Sequence, residues 1–157
     1  MNPQVDIQNA SSLPVPTDSE LTRWIGAAVS LAQGPANAEV SLRLVDEAEM
    51  ATLNLTYRDR AGPTNVLSFP SDLPAELEIP LLGDIVICAP VVVLEAQTQH
   101  KPVQAHWAHM AVHGTLHLLG YDHVDPADAD TMEALETAVM KNLNYSCPYA
   151  GYAAQEH

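Results

Sequence analysis

A single α+β domain is the fold this sequence predicts: one small mixed β-sheet packed against several helices, with a metal site on a helix and the turn that follows it. Three observations carry that reading. The chain has 157 residues, 47% hydrophobic and 17% charged, which is enough apolar material for one core and too little charge for a disordered chain. Strand-like runs alternate with helical segments only in part, and the last helical segments follow one another without a strand between them. No internal repeat, low-complexity segment or domain boundary divides residues 1–157.

The elements follow in order. Val5 to Gln8 alternates as a short strand, and a Ser/Pro-rich turn runs through Pro16. Thr17 and Glu20 form a capping box, in which the N-cap hydroxyl and the N3 carboxylate satisfy backbone N–H groups reciprocally, so a helix opens there and runs to about Gln33. Gly34-Pro35 stops it. Glu39 to Val45 alternates, with Val40, Leu42 and Leu44 on one face and Ser41, Arg43 and Val45 on the other, as a half-buried strand does. Asp46 with Glu49 repeats the capping pattern for a helix to about Tyr57, and Arg58 to Gly62 reads as a polar loop. Thr64 to Phe69 is a strand between Pro63 and Pro70; proline cannot donate to a sheet ladder, which favours an edge or a short strand. Ser71 to Pro80 is acidic and reads as an exposed loop, and Gly83 to Cys88 as a buried strand. Pro90 suits the first turn of a helix to about His100, and Lys101-Pro102 begins a long helix carrying His106 to His117. Asp125 and Pro126 are an N-cap and first helical residue for a last helix to about Leu143, and the tail from Tyr145 is expected to be loosely ordered.

Composition excludes several classes. No basic region followed by an apolar run marks a signal peptide at the N-terminus. The longest apolar stretch, Ile85 to Leu94, is broken by Pro90 and falls short of the roughly 20 residues that span a bilayer, so no membrane association is expected. Cys88 and Cys147 are too few for a disulfide framework and lack metal-type spacing; Cys88, in an apolar strand, reads as a buried thiol, and a reducing cytoplasm fits.

The chemistry concentrates in eleven residues, His113-Gly114-Thr115-Leu116-His117-Leu118-Leu119-Gly120-Tyr121-Asp122-His123. A helix advances about 100° per residue, so His113 and His117 share a face and can converge on one ion. Gly120 stands where a helix commonly ends in a left-handed residue, which lets the chain turn and deliver His123 as a third nitrogen ligand. Three histidines with the fourth position open is the form of a catalytic zinc site. One divalent ion, zinc by default, is therefore expected. Held by neutral imidazoles it keeps its full charge, and it can acidify a water molecule or polarise a phosphoryl oxygen. The spacing matches the zinc-binding stretch of metzincin proteases except that Gly114 stands where those enzymes carry the glutamate base, which argues against peptidase chemistry.

The stretch and its surroundings closely resemble the YbeY family of bacterial endoribonucleases. The matching segments are Tyr57-Arg58, Pro63-Thr64-Asn65-Val66-Leu67-Ser68-Phe69-Pro70, Leu82 to Cys88, Ala105 to Met110 running into His113 to His123, and Met132-Glu133-Ala134-Leu135-Glu136. They extend from about Leu53 to about Tyr149 in the family's order. The resemblance implies a single-strand-specific, metal-dependent endoribonuclease acting in ribosomal RNA maturation and ribosome quality control. It also implies a functional arginine at Arg58, whose planar, permanent charge suits phosphate.

Other residues keep two readings. His109, one turn before His113, can orient a ligand or be a buried, hydrogen-bonded histidine. Asp122 can accept a proton at the metal site, hold a ligand imidazole, or simply face solvent. His106 reads as structural. Asp128, Asp130, Glu133 and Glu136 read as the wet face of the last helix, and Met132 and Met140 as helix packing.

The charge pulls the other way. Six Lys and Arg against twenty Asp and Glu give −14, whereas nucleic-acid binders usually show a basic patch. Screening beyond about 8 Å softens this, so the ion and one or two arginines suffice to hold a phosphate locally. Affinity for single-stranded ribosomal RNA is then expected to come largely from partners, with small ribosomal subunit proteins and an assembly GTPase the natural ones for an acidic chain. The alternative class is an assembly factor in which binding matters more than turnover.

Overall fold

The computed structural model describes residues 3–35, 37–71, 81–121 and 125–145. In chain order these form β1 (Gln4–Asn9), α1 (Asp18–Leu31), β2 (Glu39–Val45), α2 (Glu47–Arg58), β3 (Val66–Pro70), β4 (Leu81–Cys88), α3 (Ala89–Thr98), α4 (Val103–Leu118) and α5 (Pro126–Asn142). The sheet order is β1-β2-β4-β3. β1 and β4 run parallel to β2, and β3 runs antiparallel to β4 at the edge, so the sheet is small and mixed, as expected.

The alternation in β2 sorts its side chains between two layers. Val40, Leu42 and Leu44 join Ile85 and Ile87 of β4 beneath α1, α4 and α5 in the main core. Val45, Val86 and Cys88 face the other way, where α2 contributes Met50 to a smaller cluster. α4 is the central helix: it packs on β3, β4, α1, α3 and α5. Trp107, Ala111, Val112 and Leu116 are all but inaccessible, and a fully buried tryptophan removes enough apolar surface that truncation to alanine costs about 3–5 kcal/mol.

Local signals acted as expected at three helix ends and differently at a fourth. Thr17 accepts from the Glu20 N–H while the Glu20 carboxylate takes the Thr17 N–H, the complete capping box. Asp125 caps α5 through the Ala127 N–H at 2.9 Å. Gly120 has φ 100, and α4 closes through Gly120 N–H to the His117 carbonyl and Tyr121 N–H to that of Leu116. Asp46, by contrast, does not cap α2 with its side chain. Its carboxylate instead collects Ser11 and Ser12 from the loop after β1, and Glu49 pairs with Arg43 at 2.6 Å. A long-range partner won over the local one.

One boundary moves in a way that matters. Arg58 is the last residue of α2 rather than the first of a loop, because the left-handed turn falls on Asp59, at φ 55. The expected acidic loop lies almost wholly, from residue 72 to 80, outside the described residues, as does the expected loose tail beyond Tyr145. Among the described residues no helix is long and apolar enough to cross a membrane.

Candidate metal centre

Four histidines line α4 along one side. Successive rings of His106, His109, His113 and His117 meet edge to face, with centroids 6.0, 6.1 and 4.6 Å apart. Their environments differ along the helix. His106 and His109 are buried, while His113 and His117 are half-buried.

The Nε2 atoms of His113 and His117 stand 3.1 Å apart. That is a hydrogen-bond distance, and it is also close to the roughly 3.4 Å spanned by two tetrahedral zinc–nitrogen bonds of about 2.0–2.1 Å. The two rings thus already aim their outer nitrogens at one region of space. His123, expected as the third ligand, and Asp122 lie outside the described residues.

Behind His113 lies a carboxylate that the sequence reading assigned to solvent. Glu136 of α5 is 1% exposed. Its Oε2 lies 3.2 Å from His113 Nδ1 and 2.5 Å from His109 Nε2. Burial pushes its carboxyl pKa up, but the hydrogen bonds from the two imidazoles and their charges outweigh this and hold it at about 2. Burial pushes the His109 pKa down, against the hydrogen bond and charge of Glu136, which pull it up. Asp128 and Asp130 are exposed, as expected; Glu136 is not, because it continues the buried stripe of Met132, Val139 and Met140 along α5. That stripe was the available signal. Met132 and Met140 are packed in the core. His109, His113 and Glu136 offer ligand atoms within 4.8 Å of one another, so this group could hold a metal ion.

A second carboxylate–histidine pair lies one turn earlier. His106 Nε2 is 2.9 Å from Glu95 Oε1 of α3, and the Asn65 amide donates to the same carboxylate at 3.1 and 3.3 Å. His106 is therefore structural, as read, with Glu95 as its unforeseen partner.

His113 and His117 form one wall of a cleft of about 770 Å³, to which Arg58, Arg60, Asn65 and Ser68 also contribute. Arg58 donates through Nη2 to the Ser68 carbonyl at 2.7 Å, on the open edge of β3, and its guanidinium lies 5.0 Å from the Phe69 ring centroid. Ser68 Oγ donates to the Gly114 carbonyl at 3.0 Å, tying β3 to α4. Gly114 itself faces the sheet. A Cβ placed there would lie 2.9 Å from Ile85 Cγ2 and 3.2 Å from Ser68 Oγ, so the helix approaches the strands more closely than any side chain at 114 allows. The opposite face of the sheet carries a separate hollow lined by Asp6, Arg43, Glu49, Tyr57 and Asp84; it holds none of the four α4 histidines, and its arginine is spoken for by Glu49.

The sequence profile of the family described as Endoribonuclease YbeY matches residues 6–144. An Endoribonuclease YbeY of Cellvibrio japonicus (strain Ueda107) is 54% identical over 147 residues, covering 93% of this chain and 82% of that protein. This chain belongs to the YbeY endoribonuclease family. The fold is similar to that of a solved structure: the solution structure of TM1509 from Thermotoga maritima aligns with a TM-score of 0.55 over 96% of this chain and 97% of that one, at 20% identity. The YbeY match begins within β1 and runs past the end of α5, so the histidine helix and the Glu136 helix are both within it.

Proposed function

We propose that this chain is a metal-dependent endoribonuclease that cuts single-stranded RNA in the maturation and quality control of ribosomal RNA. The observation that carries the metal-site reading is the convergence of His113 Nε2 and His117 Nε2, 3.1 Å apart, on the wall of the cleft that also holds Arg58. Family membership supports RNA cleavage, and on this reading the histidine pair would be the cation site and Arg58 the group that meets phosphate. His113, His117 and His123 would hold one divalent ion, zinc by default for a nitrogen ligand set. When bound, the ion would supply Lewis-acid polarisation of a phosphoryl oxygen and acidify a water molecule.

The chain's own residues do the rest. Arg58 sits exposed at the end of α2 and exchanges its bond to the neutral Ser68 carbonyl for charged phosphate oxygens, which bind a guanidinium more strongly. Arg60 lines the same cleft, so two of the six basic residues of a −14 chain stand where RNA is cut. Two arginines hold a phosphate but not a long RNA. Most of the affinity then comes from the particle being processed, with small-subunit proteins and an assembly GTPase as partners, in the cytoplasm. Peptidase chemistry is disfavoured by more than a missing side chain: the Gly114 position is pressed against Ile85 and has no room for a base.

The net charge favours a second reading, an assembly factor that acts by binding. One experiment separates the two. A ribosomal RNA fragment with a labelled single-stranded tail is incubated with metal-analysed protein, its chelated form, and a His113→Ala/His117→Ala variant. Cuts within the tail that require the metal and both histidines support the nuclease. One bound metal per chain with cleavage no greater than that of the double variant overturns it in favour of the assembly factor.

A further inference from the structure

We infer that Glu136 is a positioning residue: its buried carboxylate grips the Nδ1 edge of His113 and so aims that ring's Nε2 into the cleft as a lone-pair donor. The inference rests on the reading of His113 and His117 as ligands and adds the group that makes one of them competent.

The argument starts from the two nitrogens of an imidazole. A neutral ring carries one proton, and the partner of one nitrogen decides the state of the other. Glu136 Oε2 lies 3.2 Å from His113 Nδ1, and a carboxylate oxygen accepts, so the contact is made by the ring tautomer that carries its proton on Nδ1 and leaves Nε2 with its lone pair. Nε2 is the atom that faces His117 across 3.1 Å. His109 is the second clamp. Buried at 6% exposure, it presents Nε2 to the same carboxylate oxygen at 2.5 Å and is absent from the cleft lining, so it holds Glu136 rather than substrate. Glu136 comes from α5 and His113 from α4, so the ring's orientation is fixed by the packing of two helices rather than by its own rotamer.

The His109, His113 and Glu136 group raises a rival role, Glu136 as a ligand itself. Its Oε2 already serves two ring nitrogens, and its side chain is 1% exposed, shut off from the cleft. Binding an ion there would cost both contacts and would leave the His113–His117 pair unused. The positioning role keeps every observed contact.

The test uses full-length apoprotein titrated with zinc, and separately with cobalt(II), against a chelator of known affinity. Glu136→Gln keeps size and an acceptor oxygen but removes the charge. The expected result is one ion per chain in both proteins, bound about 10–100-fold more weakly in the variant, with unchanged cobalt absorption bands. Equal affinity overturns the inference while leaving the ligand reading intact. Altered cobalt bands, or loss of the ion altogether, would make Glu136 a ligand and overturn its positioning role. If a His113→Ala/His117→Ala protein binds the ion as well as wild type, the ligand reading itself fails, which is a separate result. Should Glu136→Gln not fold, nitrogen-15 NMR of wild-type apoprotein at neutral pH decides the matter: His113 protonated on Nδ1 supports the inference, and the Nε2–H tautomer overturns it.

Discussion

The two carboxylate–histidine pairs on α4 have the same chemistry and different reach. His106 with Glu95, and His113 with Glu136, each set an imidazole nitrogen against an acid from a neighbouring helix, at 2.9 and 3.2 Å. They differ in what the other ring nitrogen meets. His106 Nδ1 is buried inside the protein, whereas His113 lines the cleft and turns Nε2 toward His117. A buried histidine with an acidic partner is therefore not in itself a sign of function. Two turns of helix, from 106 to 113, separate a packing contact from a candidate ligand.

Breaking the His113 side of this comparison should have the largest effect. His113→Ala/His117→Ala is expected to abolish stoichiometric metal binding, read by elemental analysis of purified protein, while circular dichroism still reports folded helices. A retained ion would place the metal elsewhere. Arg58→Ala comes next. It should leave metal content unchanged and lower RNA cleavage by about 100-fold or more, the scale on which a preorganised charge at a reacting group acts. Cleavage at the wild-type rate by metal-loaded Arg58→Ala protein would remove the arginine from the mechanism.

Gly114→Glu probes the spacing beneath the pair. Forcing side-chain atoms into a gap where a Cβ already meets Ile85 at 2.9 Å should destabilise by about 1–3 kcal/mol, measured by denaturant unfolding. An unchanged midpoint would show that α4 shifts freely.

Glu95→Gln sharpens the contrast with the smallest effect, a loss of about 1 kcal/mol near neutral pH with metal affinity unchanged within about twofold. The pH profile carries a sign. Burial pushes the Glu95 carboxyl up, but the hydrogen bonds from His106 and Asn65 prevail and hold it below its ordinary 4.5. The unfolded chain therefore takes up that proton first. Glu95's stabilisation is complete above pH 4.5 and is lost as pH falls through the lower folded value, so the variant's acid limb should be flatter there. Identical acid limbs would mean that Glu95 carries no such linkage.

How far the sequence reached is seen in particular residues. Thr17–Glu20, Asp125-Pro126 and Gly120 act within one turn of chain, and each did locally what its chemistry dictates. The α4 histidines were legible for the same reason, since a helix fixes their spacing. Asp46 and Glu49 looked equally local, but Ser11, Ser12 and Arg43 arrive from other strands and loops. Glu136 shows the same limit in the opposite direction. A glutamate in a helix usually belongs to water, and only the stripe of Met132, Val139 and Met140 around it, together with histidines on another helix, reveals that it is buried. Sequence named the α4 histidines and was blind to the acids from neighbouring helices that meet them.

Gly114 bears on what this scaffold can become. A metallopeptidase and this protein share a histidine spacing, which suggests that one substitution separates them. The backbone says otherwise. With α4 seated this tightly on β3 and β4, a base at 114 must lift the helix, and lifting it strains the Ser68 tether beside the Arg58 anchor. Any mutational walk between the two arrangements must therefore move a helix as well as change a residue. The absence of one side chain thus acts as an evolutionary lock, set by the distance between a helix and a sheet.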